Sequence, residues 1–529
     1  MAASATVGAA PTRTAVCDHE RTFPRSTRSQ RPERECPKEA VQLTPALSRP
    51  RRNFPPSPEG TYLVVLVGGL VLIPVLGALV AVHPRLAIAA AALATAGAIL
   101  VRVANRRIAA VLVAVTVLVV GLVDLPRQVS FGPASLYGWI TVLLATLLLL
   151  VSVSRYVLSE LRGLAALFAP LYAFALWALI SMVWFKLSFA GLQNTLVYTS
   201  FATLIPVTAA VVLNRDFEIA TLRKAITGAI LLASALYGCS LATGGLGGSA
   251  LVGARSYALL GVIGVAWGAA HARFGNKRLG LLAGLCCLLV LLSLSRTAFA
   301  ASMLILVVVA LDLRTPARFV RSALLVGSVA AVAYFSITSF GPLAARFQQG
   351  DVHSIGGGVS INVSGRAFLW GVAWRDSLKS PIVGQGAGSI EQAITREQPT
   401  QSQPHNDFLR VFHDFGIIGL GLLVVSFVGL FAHPIRATRA TPRGDPTAPL
   451  HLAAGLAMLG LVAAMTTDNA IVYLFVVAPV AVIIGLSIGA FGLAYTSGGV
   501  RRGSGVVPGT PVRGTIAAEK GGNPALGIP

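Results

Sequence analysis

The chain has 529 residues, of which 55% are hydrophobic and only 12% are charged. Because soluble proteins carry roughly a quarter charged residues, this composition excludes an ordinary soluble protein and indicates a membrane protein. The formal net charge of +22 would suit nucleic-acid binding. However, the basic residues between the apolar segments follow a pattern typical of membrane topology, so no nucleic-acid partner is predicted.

In chain order, the first predicted segment is a disordered tail. Residues 1–60 are rich in Arg, Pro, Ser and Glu and contain no apolar run, so they cannot bury enough apolar surface to fold. Residues 495–529 are rich in Gly and Pro and are predicted to form a second disordered tail. Residues 61–494 between the tails form the predicted transmembrane domain.

Apolar runs of about 16 to 24 residues predict about fourteen membrane-spanning helices. Helices are favoured over strands because lipid offers no partner to backbone polar groups and no alternating pattern is visible. The predicted helices occupy residues 61–82, 86–101, 108–123, 138–153, 163–184, 196–213, 225–241, 257–270, 279–295, 297–311, 322–338, 415–432, 450–466 and 470–494. The predicted fold class is therefore an all-α polytopic membrane protein with one large loop, residues 340–410.

Basic residues between these helices cluster in alternate connections. The clusters are Arg102, Arg106 and Arg107; Arg155 and Arg162; Arg215, Arg223 and Lys224; Arg273, Lys277 and Arg278; Arg314, Arg318 and Arg321; and Arg436, Arg439 and Arg443. By the positive-inside rule these connections are cytoplasmic, as are both tails. Parity then places the loop at 340–410 outside, in the periplasm or its equivalent, and its length exempts its own arginines from the rule.

The long loop contains the motifs that suggest chemistry. They are Ser364-Gly365-Arg366, Pro381-Ile382-Val383-Gly384-Gln385-Gly386 and His405-Asn406-Asp407, followed by Gly416-Ile417-Ile418-Gly419. Residues 366–378 have apolar side chains at helical spacing, which predicts an amphipathic helix that lies on the membrane or caps the bundle. Pro381 is predicted to end that helix, and the following glycines favour an irregular turn. Residues 356–360 favour a plain linker.

The twenty acidic residues lie in tails, loops or helix ends, so no carboxylate is expected near the middle of the membrane. This weighs against a proton-coupled transporter, which usually needs such a group. The acidic residues of the loop are also not spaced as metal ligands, so neither a metal nor another cofactor is predicted.

Arginines could instead neutralise an anionic substrate. Arg296 stands at a predicted break between two helices, Arg366 opens the helix of the loop, and Arg255 lies in another outer connection. A guanidinium binds phosphate oxygens in a bidentate manner without a metal. The alternative for each arginine alone is contact with lipid headgroups.

His405 is the candidate general base. Imidazole titrates near pH 6.5, so at neutral pH it is mostly able to accept a proton from a hydroxyl nucleophile. Asp407 and Asp414 are close in sequence and could orient it. The other histidines considered, His83, His413 and His451, are predicted to be structural or interfacial.

The order of these motifs resembles the O-antigen ligase and O-antigen polymerase family. The resemblance rests on Ser364-Gly365-Arg366 with its tryptophan, on Pro-x-x-Gly-x-Gly, and on His405-Asn406 followed after nine residues by Gly-x-x-Gly, and it covers about residues 290–432. Ligases of the family often carry Arg-x-x-x-Leu in the loop, whereas here Leu369 and Trp370 follow Arg366. Polymerase and ligase therefore both stay open.

This resemblance implies a GT-C-like helical bundle in the inner or plasma membrane and a metal-independent, inverting glycosyltransferase. The implied donor is a glycan on undecaprenyl diphosphate, and the implied acceptor is a glycan or glycolipid, with membrane lipid around both. His405 would deprotonate the acceptor hydroxyl, while Arg296 and Arg366 would stabilise the departing diphosphate. Arg255 and Asn406 complete the predicted substrate-binding residues.

A second function remains open at this stage. A transporter for polysaccharide or lipid-linked glycan would have a similar many-helix hydropathy pattern. The expected lack of carboxylates within the membrane and the large outer loop disfavour it, and glycosyl transfer in detergent, where no gradient exists, would separate the two. The sequence does not identify the sugar, the acceptor or the oligomeric state.

Overall fold

The structure is a computed structural model. It describes residues 101–496 except the short gaps 126–129, 132–133, 185–187, 214–215, 312–315, 343–344, 346–351, 357–358 and 363–365. The predicted tail at 1–60, the predicted helix at 61–82 and nearly all of those at 86–101 and 495–529 lie outside the described residues.

Fifteen α-helices account for most of the described part of the chain. They are α1 Arg106–Val120, α2 Leu136–Ser152, α3 Arg155–Glu160, α4 Ala165–Ile180, α5 Phe189–Val212, α6 Asp216–Gly244, α7 Ala254–Arg273, α8 Lys277–Leu292, α9 Arg296–Ala310, α10 Pro316–Ser339, α11 Arg366–Ser377, α12 Ser389–Glu397, α13 Asp407–Ala440, α14 Ala448–Met465 and α15 Leu474–Thr496. Short 3-10 turns lie at Arg162–Leu164, Ser181–Val183 and Ala470–Val472.

Two short antiparallel ribbons accompany the helices. Strands β1, Ser130–Phe131, and β2, Ala134–Ser135, form the first ribbon. Strands β3, Val352–Gly356, and β4, Val359–Asn362, form the second, in which Val352 is paired with Asn362. The expectation of a plain linker over residues 356–360 was therefore wrong, because the β-branched residues on either side of the glycines pair as strands.

Each predicted spanning helix that falls within the described residues coincides with an observed helix, although several ends differ. Seven of these helices are long and apolar enough to cross a membrane. They lie within Arg162–Val183, Gly191–Val212, Ile219–Gly244, Phe319–Ser339, Asp407–Ala440, Ala448–Met465 and Leu474–Gly492. The protein is thus a helical membrane protein, while the total of fourteen helices and the outer position of the loop remain predictions.

Burial separates the helices into central and peripheral ones. In α5 and α15, 94% of the most apolar window is buried inside the protein, whereas in α10 the corresponding share is 11%. A helix that is apolar on all sides belongs either in a core or in lipid. Helices α5 and α15 therefore form the centre of the bundle, and α10 presents its apolar surface outward.

The segment after residue 366 is organised around the beginning of α13. Helix α11 confirms the predicted helix, in which Leu369 and Ala373 pack against α12 and α13, whereas Trp374 of the predicted apolar face is exposed. The predicted helix at 415–432 begins earlier than expected, at Asp407, because the Asn406 side chain caps it by accepting from the Leu409 N–H at 3.0 Å.

A kink at Gly416 lets the turn between α11 and α12 approach α13. Gly416 has φ +65°, and a Cβ at this position would lie 2.1 Å from the Ile382 carbonyl oxygen. A Cβ at Gly384 would lie 2.4 Å from the Asp414 carbonyl oxygen. The backbone N–H groups of Gln385 and Gly386 donate to the carbonyls of His413 and Asp414 at 3.0 and 2.8 Å. The predicted irregular turn is confirmed, and it closes on the first two turns of α13.

Candidate functional site

His405 occupies a sharp turn immediately before α13. Its φ of +55° is left-handed, a conformation that costs free energy for a residue with a side chain. The indole N–H of Trp370 on α11 donates to the Pro404 carbonyl at 2.8 Å. The His405 backbone N–H donates to Asn469 Oδ1 at 3.1 Å. These contacts hold the strained turn and fix the direction of the imidazole.

The His405 ring meets two nitrogen atoms at its Nδ1. Arg255 Nη2 lies 2.7 Å from Nδ1, and Asn469 Nδ2 lies 3.0 Å from it. Guanidinium and amide nitrogens can only donate, so Nδ1 accepts. Nε2 has no hydrogen-bond partner among the described residues. It is not among the buried side-chain atoms without a partner, so solvent can reach it.

Arg255 is oriented by a carboxylate that the sequence analysis did not select. Its Nε lies 3.0 Å from both Oδ1 and Oδ2 of Asp468, and its Nη2 forms an ion pair with the same carboxylate. The Asp468 side chain is only 2% exposed, whereas the Arg255 side chain is 42% exposed. A buried carboxylate thus aims a guanidinium that still reaches the surface.

Two further arginines approach the same turn between α14 and α15. Arg366, the first residue of α11, donates from Nη1 to the Thr467 carbonyl. The Thr467 hydroxyl lies 2.9 Å from that of Thr297, which follows Arg296 at the start of α9. We call Arg255, Arg296, Arg366, His405, Asp468 and Asn469 the His405 cluster.

The electrostatics of this cluster favour an anion. Burial, followed by the charges of Arg255 and Arg366, lowers the pKa of His405 to about 4, and Asp468 only partly opposes this. Burial also lowers the pKa of Arg366, against the effect of Asp468, and the nearby charges of Arg255 and Arg296 lower it further. The imidazole is therefore neutral at pH 7, and the guanidinium groups of Arg255 and Arg366 lie close to it.

Asp407 and Asp414 do not orient His405, which corrects the expectation from their sequence positions. Asp407 Oδ2 accepts from the Ile471 N–H at 2.8 Å and so holds the turn before α15. Asp414 accepts from the backbone N–H groups of Gly388 and Ile390 at 2.9 and 3.1 Å. Both carboxylates satisfy backbone donors because helical geometry turns them away from the residue that precedes the helix.

Asp414 belongs to a second polar cluster, centred on His413. His413 Nε2 lies 2.9 Å from Asp376 Oδ2, and His413 Nδ1 lies 3.0 Å from Asp414 Oδ1. Ser389 and Gln385 add contacts to the ring at 3.2 and 3.3 Å. We call these five residues the His413 cluster. It ties α11, α12 and the intervening turn to α13, which agrees with the structural role predicted for His413.

Arg410 supports the His405 cluster from inside the protein. Its side chain is fully buried, and it contacts Gln403, Asn469 Oδ1 at 3.2 Å, Glu391 at 3.5 Å and Asp407 at 3.5 Å. A buried guanidinium with several acceptors rigidifies its surroundings, because every departure leaves a buried charge unpaired. Arg410 therefore fixes the Asn469 side chain that contacts His405.

The structure brings the predicted site residues together with one qualification. His405 and Arg255 are in direct contact, and Arg366 and Arg296 lie beside them. Asn406 instead caps α13 through its side-chain oxygen, so its substrate-binding role remains a prediction. Among the residues that the structure describes, no group of three His, Cys, Asp or Glu side chains could hold a metal ion.

The residues missed from the sequence are Asp468 and Asn469, together with the buried Arg410. A signal for the first two was present, since they are adjacent polar residues between two strongly apolar helices. Polar residues in such positions are costly and usually functional. Arg410 gave no comparable signal, because it follows a polar loop by only a few positions.

Comparison with known proteins adds a family similarity for part of the chain. Residues 281–424 match the family model described as O-antigen ligase. No curated protein shows detectable similarity to the chain. The matched range contains Arg296, Arg366 and His405, whereas Asp468 lies beyond it. Residues 281–424 are therefore similar to the O-antigen ligase family, in a chain whose long apolar helices indicate a membrane protein.

Proposed function

We propose that the protein transfers or polymerises a glycan from an undecaprenyl-diphosphate donor onto a sugar hydroxyl of a glycan or glycolipid acceptor. The observation that carries this proposal is the contact between Arg255 and His405 beside the charge of Arg366, which in turn lies close enough to Arg296 to be affected by its charge. The reaction takes place at the outer face of the inner or plasma membrane, with both chain termini in the cytoplasm.

The donor is recognised through its diphosphate. Guanidinium groups match phosphate oxygens in geometry and charge, and they act more strongly where water is partly excluded. Asp468 offsets one of the three positive charges and is almost fully buried. The remaining positive charge suits a leaving group that becomes more negative as the glycosidic bond breaks.

The proposed reaction is a single displacement. The acceptor oxygen forms a bond to the anomeric carbon as the bond from that carbon to the diphosphate oxygen breaks. The electron pair leaves with the diphosphate, the hydroxyl proton is released, and the anomeric configuration inverts. Because diphosphate is a good leaving group, fixed guanidinium charge takes the place of a metal ion and of a dedicated acid.

His405 is the proposed catalytic residue. Its ring is held beside Arg255, where the glycan donor and the acceptor hydroxyl would meet. The base role expected from the sequence requires a free lone pair on the ring. In the present arrangement the lone pair of Nδ1 accepts from Arg255 and Asn469, so a base role requires both donors to move away.

The test is His405→Ala in the native host. We expect the lipid-linked glycan to accumulate and the mature surface polysaccharide to disappear, with the variant still present in the membrane. Unchanged polysaccharide would contradict the proposal. The purified wild-type protein should also join lipid-linked glycans in detergent, where a transporter would give no product.

A further inference from the structure

The contacts of His405 determine which of its nitrogens carries the proton. A neutral imidazole has one N–H and one lone pair. Arg255 Nη2 and Asn469 Nδ2 both point at Nδ1, and neither has a lone pair to offer. A proton on Nδ1 would face two donors at 2.7 and 3.0 Å. The proton of the neutral ring therefore belongs on Nε2.

Nδ1 meets an amide N–H in only one of the two orientations of the Asn469 side chain, and the surrounding hydrogen bonds set that orientation. Asn469 Oδ1 accepts from the His405 backbone N–H at 3.1 Å and from Arg410 Nη2 at 3.2 Å. If the amide were rotated by half a turn, its NH2 group would face two donors, the His405 backbone N–H and Arg410 Nη2. One carbonyl oxygen between two donors thus leaves the amide N–H for Nδ1.

Arg255 is equally constrained. Its two contacts from Nε and its ion pair from Nη2 hold the guanidinium against Asp468. The low pKa of His405, caused first by burial and then by the Arg255 charge, agrees with this arrangement. The ring is consequently locked from one side, while Nε2 stays accessible on the other.

We propose that His405 donates a hydrogen bond from Nε2–H to an anionic oxygen of the lipid diphosphate, and that Asn469 is the positioning residue that sets this tautomer. The proposal rests on the proposed function for the identity of the ligand. His405 then acts with Arg255, Arg296 and Arg366 as part of the anion site. The acceptor proton passes to water once its oxygen is bonded to the anomeric carbon, because the resulting oxonium is strongly acidic.

The tautomer can be measured without any turnover. Protein labelled with [15N]histidine is studied by NMR in detergent, and the His405→Gln variant identifies the signals of this ring. We expect a protonated, pyrrole-type Nε2 and an unprotonated, pyridine-type Nδ1 at pH 7. A protonated Nδ1 in the wild-type protein would overturn the proposal.

Asn469→Asp tests the positioning role. The change keeps Oδ1 for its two donors but replaces the amide N–H by a carboxylate oxygen, which can only accept. We expect His405 Nδ1 to become protonated in this variant. Asn276→Asp is the matched control, since Asn276 caps α8 and the same change there should leave the His405 signals unchanged. An unaltered His405 spectrum in Asn469→Asp would refute the positioning role.

The donor role is tested by binding of undecaprenyl diphosphate to the purified protein. His405→Ala should weaken the Kd roughly tenfold or more, because a hydrogen bond to a charged group is lost. His405→Gln keeps an amide N–H near the position of Nε2 and should bind within about threefold of wild type. A base would behave differently: both variants would bind normally and both would lose turnover.

These measurements separate the inference from the proposed function. Equal Kd values for the wild type and both variants would overturn the donor role, even if glycosyl transfer is confirmed. If no glycosyl transfer is found with any lipid-linked glycan, the proposed function fails, whereas the tautomer and the diphosphate affinity are still measured.

Discussion

His405 and His413 lie eight positions apart and are placed in opposite surroundings. His405 precedes α13, is partly exposed, and meets only donors at Nδ1. His413 lies inside α13, is fully buried, and has a carboxylate oxygen close to each ring nitrogen. The first ring is arranged to be neutral, and the second is arranged with acceptors on both sides.

The difference separates the proposed recognition site around His405 from the buried contacts around His413 that hold helices together. The His405 cluster leaves positive charge near a surface that substrate can reach. The carboxylates of the His413 cluster accept hydrogen bonds from backbone N–H groups and contact the ring. These contacts hold α11 and α12 against α13. Changes in the first cluster should alter turnover, and changes in the second should alter stability.

The largest effect is expected from removing an anion-binding charge. Arg366→Ala should lower turnover by a factor of roughly 10² to 10³, because one preorganised cation of the leaving-group site is lost. The measurement is product formation by purified protein with lipid-linked donor. Arg375→Ala on the same helix is the control, since Arg375 is exposed and outside the His405 cluster. Equal activities of the two variants would contradict the placement of the anion site.

A smaller effect, on stability, is expected for His413→Ala. Removing the ring leaves the Asp414 and Ser389 side chains with fewer partners in a buried environment, which should cost about 3 kcal/mol. Thermal unfolding in detergent measures the loss. His451→Ala is the comparison, because that buried ring makes one hydrogen bond, to Ser487 at 2.9 Å. If His451→Ala is the more destabilising, the contacts of the His413 cluster do not provide the main stabilisation of α11 and α12 against α13.

Acid should act through His405. Its folded-state pKa of about 4 lies below the ordinary 6.5, so the unfolded chain takes up the proton first as pH falls. The stability contribution of the neutral ring is complete above about pH 6.5 and is lost as pH falls toward 4. Because a proton on Nδ1 would face the Arg255 and Asn469 donors and disrupt the cluster, turnover should be flat from pH 8 to about pH 5.5 and then decline. A decline already centred near pH 6.5 would show that burial and the arginines do not depress this pKa.

The Asp376 carboxylate of the His413 cluster should not contribute to that decline. Burial alone would raise its pKa, but hydrogen bonds from Lys379, His413 and Gln385 outweigh burial and lower the pKa to about 2. It therefore stays ionised throughout the range in which His405 titrates. The decline of turnover at low pH should accordingly be absent in His405→Gln.

The smallest effect is expected from a chelator. Because the proposal assigns charge neutralisation to arginine, excess EDTA should leave turnover of the purified protein unchanged within about twofold, a change below 0.5 kcal/mol. Loss of activity that added Mg²⁺ or Mn²⁺ restores would refute metal independence.

Much of the site could be predicted because its residues carry local patterns. Arg366 opens a helix of visible periodicity, and His405 precedes a long apolar run. The ends of the elements were less predictable. Helix α13 begins at Asp407 and not at 415, since a polar helical turn capped by Asn406 has the composition of a loop. Residues 356–360, where β3 ends and β4 begins, were expected to be a linker because of their run of glycines.

By itself, the sequence determined that the protein is helical and lies in a membrane, because apolar length and backbone hydrogen bonding leave few alternatives. Its motifs around Arg366 and His405 also predicted the similarity to the O-antigen ligase family that the match over residues 281–424 confirms. Only the tertiary structure decided that Asp468 aims Arg255 and that Asn469 faces His405, across 213 and 64 positions of chain. The physical reason is that a hydrogen bond depends on distance and direction in space, and sequence spacing records neither for residues on different helices.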